Sequence, residues 1–160
     1  MSRILASIAA CGVVIGCVSG PAAPSPSPSV FALRAAPTMI TAGGVSVQLA
    51  PFVYRDFQPI SPPDGKPMTA ILRVKTADGS AFPTGVRIDS AWVLYGRAVW
   101  AATVQEEISA QPGSPVREWV VRNGPKWGPG VSVDVVVELV ETVGSTSLLR
   151  ASDQLVQRTD

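Results

Sequence analysis

Residues 131–141 read VSVDVVVELVE, and they constrain the fold of this chain more than any other segment. Val131, Val133, Val135, Val137 and Leu139 recur at every second position, with Ser132, Asp134, Val136, Glu138 and Val140 between them. In extended backbone, successive side chains point to opposite faces. The first set therefore makes a core face and the second a half-solvated one. β-Branched side chains are stiff at χ1 and crowd a helix, whereas they pack well on a pleated surface. The segment predicts a strand with one buried side, and such a strand needs a sheet around it.

Other segments repeat the pattern. GVSVQLAPFVY at 44–54 places Val45, Val47 and Leu49 on one face, and TAILRVKT at 69–76 sets Ala70, Leu72 and Val74 against Ile71, Arg73 and Lys75. VRIDSAWVLY at 86–95 starts with Val86 and Ile88 near one face, although AWVLY is apolar on both, and Gly96-Arg97 turns the chain into AVWAATV at 98–104. After the polar loop SAQPGSP comes VREWVVR at 116–122, and NGPKWGPG at 123–130 is dense in turn formers. SLLRASDQLVQ at 147–157 reads as the last strand. A helix is its alternative, because Leu148, Leu149, Ser152, Leu155 and Val156 also fit helical spacing and Ser147 suits a cap. A helix there would leave the long valine strand without an obvious hairpin partner.

Seven turn-separated segments of strand length predict an all-β domain. Two stacked sheets suit strands that each show an inner and an outer face. The expectation is an immunoglobulin-like or fibronectin-like sandwich of about seven antiparallel strands, with a jelly roll or partly open barrel as the alternative. The segment has no intradomain cysteine pair, and neither Tyr54 nor Tyr95 stands where a tyrosine corner belongs.

A chain of 160 residues suits one domain plus a tail, and 46% hydrophobic residues are ample for its core. Leaving out Arg3 near the start, twelve basic residues balance twelve acidic ones. That neutrality gives no grip on a phosphate backbone and no polybasic patch for a membrane, so nucleic acid is excluded as an expected partner.

The first residues read MSRILASIAACGVVIGC. Arg3 supplies a positive start, and the apolar run from Ile4 to Cys17 is long enough for a signal peptide but shorter than the ~20 residues of a spanning helix. Val14 to Cys17, VIGC, resembles the lipobox of bacterial lipoproteins: an aliphatic residue, a tolerated one, a small one, then cysteine. The resemblance covers the leader alone. It implies cleavage before Cys17, a thioether-linked diacylglycerol on that thiol, and often acylation of the new amino group. IAAC, ending at Cys11, fits more loosely and leaves a short apolar region before it. Chemistry agrees with lipidation: these are the only two cysteines, so Cys17 would otherwise be a lone thiol in an oxidising compartment.

The predicted organisation is a signal peptide at 1–16, a lipidated cysteine and Pro/Ser-rich tether at 17–35, and a β-sandwich domain at 36–160. VSGPAAPSPSPS at 18–29 suits a semi-rigid polyproline-like spacer. Val18 after the cysteine, in place of the aspartate that retains such proteins at the inner membrane, implies the outer membrane if the cell is Gram-negative.

Catalytic residue types are scarce. The chain has no histidine, no GxSxG elbow and no phosphate loop, and its carboxylates show no spacing that pairs them. No enzyme activity, metal or cofactor is expected. Aromatic clusters are the better candidates. FVYRDF at 52–57 offers Tyr54 and Arg55, either as core packing at a strand end with Arg55 paired to an acidic neighbour, or as a stacking rim. Trp127 in NGPKWGPG either plugs one end of the sandwich or projects as a contact, with Arg122 and Lys126 beside it. The functional expectation is a non-enzymatic, membrane-anchored lipoprotein of the cell envelope. Its partners would be the bilayer, through acylated Cys17, and an envelope protein. A carbohydrate or small-ligand binding module is the alternative.

Overall fold

A computed structural model describes residues 27–104 and 111–160. Cys17, the leader and most of the tether lie outside the described residues. One short helix, α1 (Val30–Ala35), precedes ten strands: β1 (Met39–Ala42), β2 (Val45–Leu49), β3 (Phe52–Asp56), β4 (Met68–Thr76), β5 (Val86–Tyr95), β6 (Ala98–Thr103), β7 (Val116–Gly124), β8 (Ser132–Glu141), β9 (Thr146–Leu155) and β10 (Gln157–Thr159).

The strands form two sheets. In the first, β4 is central: β7 lies along one side, and β2 and β3 follow one another along the other. The second runs in the order β6-β5-β8-β9. Every pairing is antiparallel except that of β10 with β3, which is parallel. The chain is thus all-β in its sheets, and 147–157 falls in β9 and β10, with no helix there.

Ten strands stand where about seven were expected, and local chemistry explains the difference. The stretch 44–54 is interrupted at Ala50-Pro51, because proline has no N–H to give the ladder. Ala50 N still donates to Arg73 O at 2.8 Å, so β2 and β3 remain in line beside β4. Val156 similarly separates β9 from β10 while its N–H donates to Val131 O at 2.8 Å. Strand β1 is a four-residue addition at the sheet edge.

The core lies between the sheets. Leu72, Val74 and Val121 from the first meet Val93, Val135 and Val137 from the second, all fully buried. Each such side chain contributes roughly 1.5–3 kcal/mol when removed from water. Trp119 lies in this core with its ring edge-on to Phe82.

One core residue falls on the face expected to be half-solvated. Val136 is completely buried, with Trp92, Leu94, Leu33 and Ala36, on the outer side of the second sheet. Helix α1 provides the cover. Ser29 caps it by accepting a hydrogen bond from Ala32 N at 3.1 Å, and Leu33 inserts toward the sheet. Arg34 donates to Gly96 O and lies 3.6 Å from Asp134, which Arg150 also approaches at 3.7 Å. Arg150 N donates to Pro37 O, fixing the chain as it leaves the helix. AWVLY is apolar on both faces because both faces of β5 are covered.

Candidate contact site at one end of the sandwich

The loops 57–67 and 125–131 meet at the end of the sandwich where β3, β5 and β7 finish. Alternation along β3 sends Val53 and Arg55 inward and leaves Phe52, Tyr54 and Asp56 on the other side. Arg55 is 4% exposed. Its Nε donates to Lys66 O at 3.0 Å, and Nη1 donates to Gly128 O at 2.5 Å and Lys126 O at 3.2 Å. Nη2 donates to Asp64 O. A planar fork of five donors is suited to holding carbonyls that diverge in this way. One buried guanidinium therefore ties the two loops together through their main chains.

Ion pairs close the outside of the same junction. Lys126 Nζ donates to Asp64 at 2.6 Å, and Lys66 Nζ donates to Asp56 at 2.7 Å. The ammonium hydrogen bond from Lys126 holds the Asp64 carboxyl below its ordinary pKa. Lys66, and then the Gln58 N–H, do the same for Asp56. Two cations approach the Phe57 ring, the Arg55 guanidinium carbon at 5.1 Å and that of Arg158 at 4.1 Å from its centre. Gly65 has φ +73°, and a β-carbon there would come within 2.6 Å of the Phe57 ring. Only glycine lets the loop close over that ring.

Trp127 is half-buried against the main core, and its ring lies 5.6 Å from that of Tyr95, which is 40% exposed. The indole therefore both seals this end and borders an exposed aromatic. Ile60, at 87% exposure, stands out from the 57–67 loop. The locked pair of loops thus presents Ile60, Lys126 and the rim of Trp127, and Tyr95 joins them from the end of β5.

Of the residues singled out from sequence, the structure brings together Arg55, Lys126 and Trp127. Tyr54 stacks on Phe52 at 5.3 Å, on the outer side of β3. Arg122 is exposed on β7, on the side alternate to core residue Val121. Ile60 and Tyr95 were not expected contributors. Their signal was an apolar residue set among prolines in QPISPPDG and an aromatic immediately before a glycine turn.

The opposite end carries a shallow cleft of about 460 Å³ lined by Val86, Arg87, Arg117, Val140, Glu141 and Thr142. Glu141 there accepts a hydrogen bond from Gly43 N at 3.1 Å, and Arg117 lies over the Phe82 ring.

Among the described residues no group of three or more His, Cys, Asp or Glu is placed to hold a metal ion. No described helix is long and apolar enough to cross a membrane. No family model, curated protein or solved structure matches the chain.

Proposed function

We propose that this chain is a non-enzymatic lipoprotein of the bacterial cell envelope, anchored through acylated Cys17, whose immunoglobulin-like or fibronectin-like sandwich makes protein–protein contacts. The locked loop pair carries the contact reading. Loops held by a buried guanidinium lose little further freedom on binding, so exposed Ile60 is presented at low entropic cost, with Tyr95 beside Trp127 at the end of β5. Apolar side chains fixed on a rigid rim are a means of recognising another protein. The anchor reading rests on VIGC at 14–17 and on the absence of any later cysteine.

Affinity purification from detergent-solubilised membranes tests the contact face. Ile60→Asp and Trp127→Ala are expected to lose the co-purifying partner. Ile60→Asp should keep its melting temperature, because its side chain touches solvent. Retention of the partner by both variants refutes this face. Mass spectrometry of the membrane fraction tests the anchor: the mature chain should begin at Cys17 with acyl groups, and Cys17→Ala should fail to mature.

The alternative, a carbohydrate or small-ligand binding module, is favoured by one observation, the cleft beside Arg117 and Glu141. Saturable binding of a glycan that Val140→Trp abolishes would select it.

A further inference from the structure

We infer that the outward side of helix α1, led by Phe31, rests on the surface of the bilayer to which the chain is anchored; this rests on the lipid-anchor reading of Cys17. Phe31 is 82% exposed and Val30 44%, although the helix that carries them is fastened to the domain. Leu33 is buried beneath it, and Arg34 and Arg150 hold its end. The two apolar side chains are thus fixed on a rigid support. The occupant follows from where the chain enters. Ten positions separate Cys17 from Ser27, the first described residue, and Val30 follows three later. At about 3.1–3.6 Å per residue, that span keeps the helix within roughly 45 Å of the anchored cysteine, and the bilayer is the nearest apolar phase.

A phenylalanine and a valine would not hold a free domain on a membrane. Tethering changes that, because a short linker gives the helix an effective concentration in the millimolar range at the surface. Arg34 is engaged by Gly96 O and Asp134, so the contact is apolar and works on uncharged lipid. Docking in this way would turn the outer face of the second sheet toward the bilayer.

The test uses the full lipidated chain in phosphatidylcholine vesicles, with a single reporter thiol added. Ala35→Cys places an environment-sensitive dye one turn from Phe31, and Ser46→Cys places it on the outer face of the first sheet, alternate to buried Val47 on β2. Reconstitution should shift the emission at position 35 to the blue and expose it to quenching by spin-labelled lipid, with no change at position 46. Adding Phe31→Ser to Ala35→Cys should return the dye to its aqueous emission. Co-floating protein with an aqueous signal at 35, or a signal indifferent to Phe31→Ser, overturns the docking alone. A mature chain that carries no acyl group and does not float with vesicles overturns the anchor reading and the docking together.

Discussion

Arg55 donates its guanidinium to main-chain oxygens at Asp64, Lys66, Lys126 and Gly128. Hydrogen bonds from a charged donor are worth about 1.5–3 kcal/mol each, and buried acceptors left without donors cost about 1–3 kcal/mol. These terms are not additive, since one side chain supplies them all. Arg55→Met is expected to lower unfolding free energy by about 3–5 kcal/mol, read from urea denaturation, the scale of several buried carbonyls losing a charged donor at once. Arg55→Lys should recover only part of it, because an ammonium cannot span the fork. A loss below about 1 kcal/mol for Met would show that the loops hold without the guanidinium. Sequence made Arg55 visible as a cation at a strand end, with an acidic side chain as the expected partner in its packed form. Asp56 pairs instead with Lys66, and Arg55 turns to carbonyls 9, 11, 71 and 73 residues away. Periodicity reports which side a residue faces, but loop carbonyls have no sequence signature.

The loops and the helix are the elements that sequence described least. Alternation along 131–141 set the inner face of β8 correctly, yet Val136 on the other face is fully buried. Its cover is a six-residue helix, too short to announce itself by period and adjoining a Pro/Ser-rich stretch. The clue was present in AWVLY, which is apolar on both faces and so needs a second layer. Leu33→Ala should cost about 2–4 kcal/mol, in the range of buried leucine truncations. The same change should redden the fluorescence of the 7%-exposed Trp92 as the helix lifts. Unchanged emission would mean that the helix stays seated without Leu33.

The ion pairs that close the loops respond to acid in a defined direction. Asp56 and Asp64 both have lowered pKa values when folded, from Lys66 and Lys126 respectively. Their contribution is complete above the unfolded carboxylate pKa of about 3.9 and is lost as pH falls through the lower folded values. Melting temperature should therefore drop as pH goes from about 5 toward 2. In Asp56→Asn/Asp64→Asn that drop should be shallower, from a lower starting point near pH 7. Identical slopes in both proteins would show that other groups control acid unfolding.

At the scale of the molecule, the chain forms its two sheets with no cysteine among the described residues. Both cysteines lie in the first seventeen positions, so no intradomain disulfide can restrict the unfolded chain. Stability must come from apolar contact between the sheets, and the fully buried valines and leucines at alternate positions supply it. That two-faced pattern is why the all-β architecture was legible in advance. Strand partners were less so: the parallel β10–β3 pair joins residues about a hundred positions apart, which no local pattern encodes. The absence of a cross-link gives a direct expectation. Thermal unfolding of the domain should have the same midpoint with and without a thiol reductant, within about 1 °C, whether Cys17 is acylated or replaced by alanine. A lower midpoint in reductant for the unacylated chain alone would reveal that Cys17 bridges copies and supports the fold. Without a cross-link, the two sheets must stand on the core between them.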